Sequence, residues 1–182
     1  MSTENPWKTL STKIIYKNPW ITLREDQVIN PTGNPGIYGV VEPRIATGII
    51  PLDEEGHTYI VGQFRYPTNT YSWEMVEGGA ELNEDPIKAI ERELQEEAGI
   101  KAEKIIQLGG EVHLSNCFSS EKAFFYVATG LTFVEKQPDD TEVLAVKKVL
   151  FTELETMVEK GEIVDAMTII GVSRARQYLD AK

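Results

Sequence analysis

Three glutamates close together in the chain, Glu93, Glu96 and Glu97, are the residues best suited to chemistry. They stand in Arg92-Glu93-Leu94-Gln95-Glu96-Glu97, and the spacing of Ile87, Ile90, Leu94 and Ala98 predicts a helix through them. At about 100° per residue the three carboxylates share one face. Carboxylates about 6 Å apart repel by roughly 3 kcal/mol per pair at an effective dielectric near 20. A helix carries that load more easily with cations between them, and all-oxygen ligation suits magnesium or manganese rather than zinc. A glutamate-rich face is also commonly just solvated, so the surrounding pattern has to decide.

That pattern is Gly78, five residues, Glu84, seven residues, Arg92-Glu93-Leu94, Gln95, Glu96-Glu97, Ala98 and Gly99-Ile100. It resembles the Nudix hydrolase signature at every specified position over 23 consecutive residues. A chance match in a chain this long is expected on the order of once in ten million. The resemblance implies a Nudix α/β/α sandwich on a mixed β-sheet and a metal set of Glu93, Glu96 and Glu97, with the carbonyl of Glu77 as a further ligand to Mg2+ or Mn2+. Glu84 and Arg92 are expected to bridge loop and helix by a charge-assisted hydrogen bond and to serve as supports. Cations held this way clamp a diphosphate and acidify a bound water, so the implied reaction is phosphoanhydride hydrolysis.

Outside the box, Gln63-Phe64-Arg65-Tyr66-Pro67 and Trp73-Glu74-Met75-Val76-Glu77-Gly78 resemble the branch that includes ADP-ribose and nucleoside diphosphate sugar pyrophosphatases. The resemblance implies that Arg65 contacts the substrate phosphates, for which a planar guanidinium is suited. Ser115-Asn116-Cys117-Phe118-Ser119-Ser120-Glu121 is similar to the loop in which ADP-ribose enzymes carry proline sixteen residues after the box. Asn116 stands at that place, which points to a broader sugar range. Glu121 is a candidate for the metal site or sugar pocket. Among Asp139-Asp140-Thr141-Glu142, Glu142 fits the family's general base, and Glu96 is assigned to the catalytic set as well as to the metal. Trp20 and Tyr38 are candidates to stack a nucleobase, while Trp7 and Trp73 read as packing. The expected activity is hydrolysis of a nucleoside diphosphate sugar, ADP-ribose or GDP-mannose among them, to a nucleoside monophosphate and a sugar 1-phosphate (ribose 5-phosphate for ADP-ribose). The alternatives are a Nudix hydrolase of dinucleotides or nucleoside triphosphates, or a non-catalytic nucleotide-sugar-binding module. Cys117 with His113 as a nucleophilic pair is the weaker rival.

These residues need elements to hold them. Short strands at 13–16, 21–29 and 36–41, split by Asn18-Pro19 and by the turn at 30–36, predict an N-terminal antiparallel annex over residues 1–44. Such a sheet buries too little area to stand alone, and the resembled branch exchanges it across a homodimer. Residues 45–182 are expected to form the Nudix domain. Strands are predicted at 45–52, 58–64 and 72–76, with a hairpin turn over Asp53-Glu54-Glu55-Gly56. The box helix follows, capped by Asn83, with Pro86 in its first turn and Gly99 closing it. Further strands at 105–112, 123–128 and 143–151 precede helices at 152–159 and 163–179.

The chain has 182 residues, 41% of them apolar and 26% charged, as in an ordinary globular domain. A net charge of −11 argues against nucleic acid and anionic membranes as partners. It would also repel a phosphorylated substrate unless bound cations reverse the local sign. One cysteine rules out an internal disulfide framework and suits the cytoplasm. Met1–Thr12 lacks the basic flank and apolar run of a signal peptide, and no stretch is apolar for the roughly 20 residues a bilayer needs.

Overall fold

The structure is a computed structural model that describes residues 3–136 and 144–182. Two compact units divide it, Met1–Arg44 with His113–Lys122, and Ile45–Val112 with Ala123–Lys182.

The first unit carries an antiparallel sheet in the order β1 (Lys8–Lys17), β2 (Ile21–Ile29), β3 (Pro35–Pro43). β1 is longer than the apolar run at 13–16 suggests, because its pairing with β2 runs from Lys8 to Lys17, with irregularities between Thr9 and Ser11 and between Ile14 and Tyr16. Asn18 and Asn30 set the two turns: Asn18 Oδ1 accepts from the Trp20 and Ile21 amides, and Asn30 Oδ1 from those of Thr32 and Asn34. The 113–122 loop runs beside β3, where Val41 N–H donates to the Phe118 carbonyl and Ser120 N–H to the Val41 carbonyl.

The described residues of the second unit form two sheets. One is mixed, its strands running β7 (Val76–Gly79), β4 (Ala46–Pro51), β10 (Lys122–Phe133), β8 (Ile100–Gln107), with β4 parallel to β10 and the other neighbours antiparallel. The other is antiparallel, in the order β11 (Ala145–Leu150), β5 (His57–Arg65), β6 (Thr70–Glu74). β9 (Val112–His113) has only two residues, and β8 begins at Ile100 rather than at 105. The turn at Asp53–Gly56 forms as expected: Asp53 Oδ1 accepts from the Glu55 and His57 amides, and Gly56 takes φ 81°. β4 and β5 nevertheless go to different sheets, joined by one bridge between Leu52 and Thr58.

Among the described residues three helices complete the unit: α1 (Pro86–Ala98), α2 (Phe151–Glu159) and α3 (Ala166–Asp180). Asn83 is not the cap of α1. Its φ is +67°, and Asp85 caps instead, accepting from the Ile87 amide. Pro86 explains this, since proline fits the first helical position and leaves the cap to the residue before it. At the other end Gly99 adopts φ 66° and donates back to Gln95 O, as a left-handed cap should. Ile90 and Leu94 of α1 pack without exposure against Ile49, Val61, Val76 and Ile100. Each such side chain contributes about 1.5–3 kcal/mol, which fixes the roll of the helix and so the direction of its glutamates.

Candidate active site

β6, β7 and α1 supply most of the acidic residues, with Glu84 and Asp165 from the segments that lead into α1 and α3, and two arginines bond several of them. Arg92 is the hub on the helix. Its guanidinium donates to Glu93 Oε1 at 2.8 Å, Glu96 Oε2 at 2.9 Å, Glu84 Oε2 at 3.3 Å and the Gly79 carbonyl at 3.4 Å. It therefore ties the loop before α1 to the helix. Glu84 secures that loop further by accepting from the Glu81 amide at 2.8 Å.

Gly78 is needed for a steric reason. Its backbone is not in the left-handed region, yet a Cβ there would overlap Cγ, Cδ and Oε1 of Glu93. The Glu93 carboxylate lies flat against the β7 backbone in the space a methyl would fill. Thr47 Oγ1 of β4 donates to the Gly78 carbonyl at 3.0 Å and holds β7 from its other side. Glu97, only 3% exposed, points into the unit, while Glu96 is half-buried.

Arg65, at the end of β5, forms the second hub. Its Nε lies 3.0 Å from both oxygens of Glu74, and one terminal nitrogen reaches Glu74 Oε2 at 2.5 Å and Glu77 Oε1 at 2.6 Å. Burial opposes its charge, but the Glu74 hydrogen bond and the charges of Glu77, Glu74 and Asp165 outweigh burial and raise its pKa. Glu77 itself is raised well above the usual carboxylate range, by burial first and then by Asp165 and Glu74, with Glu97 adding a smaller push. Its Oε2 is buried with no hydrogen-bond donor among the described residues.

Oxygens of Glu74, Glu77 and Asp165 lie within 4.8 Å of one another. A buried carboxylate oxygen lacking a donor, flanked by further carboxylates, suits a hard divalent cation better than any neutral ligand. Glu77, whose side chain belongs to this group and whose carbonyl belongs to the ligand set that the box implies, joins the two, and the all-oxygen donors present fit a divalent cation. Glu74 and Asp165 were not among the expected site residues. Glu74 reads in sequence as one more strand residue, and Asp165 stands far along the chain with only the Asp-x-x-Thr signature of a helix cap.

Trp20, Tyr38 and Glu121 belong to the first unit. Trp20 is 65% exposed on the β1–β2 turn. The Tyr38 hydroxyl donates to the Cys117 carbonyl at 2.5 Å, and its ring meets Trp7 edge-on at 5.2 Å. Both line a cavity of about 280 Å³ with Asp26, Asn116, Phe118 and Ser120. Glu121 is half-buried, which raises its pKa. Cys117 is exposed. Glu142 lies outside the described residues.

The box helix, its arginine hub and the glycine under Glu93 are residues of the Nudix signature. Residues 42–167 match the family model for the NUDIX domain, and residues 7–41 match that for the nucleoside diphosphate sugar hydrolase N-terminal domain. The chain belongs to the Nudix family, in its ADP-ribose and nucleoside diphosphate sugar pyrophosphatase branch, and is a Nudix pyrophosphohydrolase. Among its relatives is an ADP-ribose pyrophosphatase of Bacillus subtilis (strain 168), 28% identical over 96% of this chain and 93% of that one. Another is an ADP-ribose pyrophosphatase of Mycobacterium tuberculosis (strain H37Rv), 30% identical over 93% and 83% respectively. The crystal structure of an ADP compounds hydrolase shares the fold, with a TM-score of 0.84 at 17% identity over 100% of this chain and 98% of its own. No helix among the described residues is long and apolar enough to cross a membrane.

Proposed function

We propose that this chain hydrolyses the diphosphate of a nucleoside diphosphate sugar, with ADP-ribose the first candidate, to a nucleoside monophosphate and a sugar phosphate. The observation that carries the reading is Glu93 packed against the β7 backbone at Gly78, next to Glu77, with Arg92 bonding both Glu93 and Glu96 and with Glu97 buried on the same helix. Relatives that align along nearly the whole chain and are ADP-ribose pyrophosphatases support the choice of substrate.

Glu93, Glu97 and Glu96, with the Glu77 carbonyl, would hold Mg2+ or Mn2+. Such a cation neutralises diphosphate oxygens and lowers the pKa of an attacking water. The protein's own groups do the rest. Arg92 restrains Glu93 and Glu96, so little reorganisation remains at the moment of reaction. Arg65 keeps Glu74 and Glu77 in place and turns a guanidinium edge to the substrate phosphates. Glu142, as general base, takes a proton from the water as its oxygen bonds to one phosphorus. The bridging oxygen leaves on the other phosphate, and both products depart as phosphomonoesters.

Trp20 and Tyr38 are assigned to the nucleobase and Glu121 to the sugar or the metal. A homodimer formed through the first unit accounts for Leu10, Ile14, Ile15 and Tyr16, which β1 leaves exposed. The lone exposed Cys117, with no second thiol to pair with, suits a reducing cytoplasm.

The test is a panel of ADP-ribose, GDP-mannose, ADP-glucose, UDP-glucose, dinucleotides and nucleoside triphosphates, each with magnesium and with manganese. Cleavage of nucleotide sugars well above the rest is expected. Preference for triphosphates, or binding without cleavage of any, would overturn the reading. A monomer on gel filtration at micromolar concentration would remove the dimer.

A further inference from the structure

One residue, Met75, separates Glu74 from the strand that bears Glu77, and its position is dictated by α3. The Met75 N–H donates to Thr168 Oγ1 at 3.0 Å. Thr168, wholly buried, donates its hydroxyl proton to Asp165 Oδ2 at 2.8 Å, and its amide donates to the same oxygen at 2.6 Å. Donor chemistry makes this chain one-directional: an amide can only give, an ionised carboxylate can only accept, and the single threonine hydroxyl must do one of each. The Met75 side chain is fixed as firmly. It fills a socket between Gly48 of β4 and Gly171 of α3, where a Cβ on Gly171 would stand 2.7 Å from Met75 Sδ and one on Gly48 3.0 Å from it.

Capping α3 does not require a charge, since Ser or Asn caps as well as Asp. The aspartate nonetheless sits with its carboxylate within 4.8 Å of those of Glu74 and Glu77, where it adds to the field on Arg65. A carboxylate placed against two others, in a role that a neutral side chain could fill, points to a task beyond capping.

We propose that Asp165 and Thr168 are positioning residues of the reaction. Together they hold the 74–77 segment in register, Thr168 through the Met75 amide and Asp165 through Thr168 and the charge it presents to Arg65, and thereby they set the position of Glu77 and of the Arg65 guanidinium. This inference rests on the Nudix hydrolase reading of the site.

Three variants test it: Thr168→Val, which keeps the shape and removes both hydroxyl bonds; Thr168→Ser, which restores them; and Asp165→Asn, which keeps a cap and removes the charge. The readouts are Mn2+ binding to the substrate-free protein by calorimetry, kcat and KM separately, and Tm. Thr168→Val and Asp165→Asn are expected to weaken Mn2+ binding and lower kcat by about ten-fold or more, as loss of groups that orient a metal site does, with KM little changed. Thr168→Ser should return both to near the wild-type values. A lowered Tm with Mn2+ affinity and kcat at wild-type levels would make the contacts merely structural and overturn the proposal. Should Thr168→Val fail to fold, Asp165→Asn decides alone. Wild-type protein that binds Mn2+ but cleaves nothing would end the hydrolase reading while the Mn2+ arm still decided this one. Wild-type protein that binds no Mn2+ would end both.

Discussion

Replacing Gly78 with alanine isolates the geometry of the site from the stability of the fold. The β7 backbone at Gly78 is in a region any residue adopts, so the substitution introduces no backbone strain. What it introduces is a methyl closer than 3.0 Å to Cγ, Cδ and Oε1 of Glu93, where ordinary contacts begin at 3.4 Å. The obstructed group is the end of a flexible side chain, so it can swing aside, and the stability lost should be about 1 kcal/mol or less, the low end for overpacking. The swing moves the carboxylate by on the order of 1 Å, and misplacement of that size costs roughly 100-fold in rate. That is about 2.7 kcal/mol of transition-state stabilisation, well above the expected loss of fold. The assays are kcat/KM on the best substrate, Mn2+ affinity by calorimetry and thermal unfolding, with Gly39→Ala as control because a methyl there meets nothing within 4 Å. Gly78→Ala with kcat/KM and Mn2+ affinity within a few-fold of wild type would show that Glu93 does not depend on this contact.

Two further perturbations separate charge from packing. Glu97→Gln keeps the volume of a side chain that is almost wholly buried and removes its charge, so turnover should fall by about 100-fold or more while the unfolding temperature without cation holds or rises. Asp53 reports on pH: burial pushes its pKa up, but the Lys148 hydrogen bond at 2.8 Å and the His57 and Glu55 amides outweigh that and bring it down to about 2. A carboxylate whose folded pKa is below its unfolded value of about 3.9 stabilises the protein above that pH, and the benefit fades as pH drops through the folded pKa. Urea unfolding of wild type and Asp53→Asn should therefore differ by up to about 2 kcal/mol at pH 7, the difference shrinking between about pH 4 and pH 2. A difference independent of pH would refute the assignment.

What could be read from sequence was whatever the chain encodes locally. The box helix follows from apolar spacing and from Gly99, whose left-handed cap needs no distant partner. The contact between Arg92 and Glu84 follows too, because both ends lie within one loop-helix unit. Asn83 shows the limit of such rules: it and Asp85 both have capping side chains, and only the preference of Pro86 for the first helical position decides between them. Sheet membership is a non-local matter. The turn at Asp53–Gly56 reads as a hairpin, yet β5 finds its partners in β6 and in β11, far along the chain. Asp165 was hidden for the same reason, since nothing near it in sequence says that α3 docks onto Met75. Glu74 was hidden because a buried strand glutamate becomes visible only through its guanidinium.

The balance of charge within the second unit also orders the events of catalysis. Among the described residues Arg65 and Arg92 bond Glu74, Glu77, Glu84, Glu93 and Glu96, with Asp165 and Glu97 adding to the field. A diphosphate brings more negative charge to a site already in excess, and surface screening helps little where the carboxylates are buried. Substrate should therefore bind weakly by itself and tightly together with a divalent ion. Linkage makes the effect reciprocal: the factor by which Mn2+ strengthens binding of the substrate must equal the factor by which the substrate strengthens binding of Mn2+, and coupling of this kind is typically worth about 5–150-fold. An ADP-ribose analogue with a methylene in place of the bridging oxygen cannot be cleaved and allows both affinities to be measured at equilibrium. Analogue affinity that is the same with and without Mn2+ would mean that the guanidiniums alone suffice for the phosphates, and the electrostatic account of why these carboxylates converge would fall.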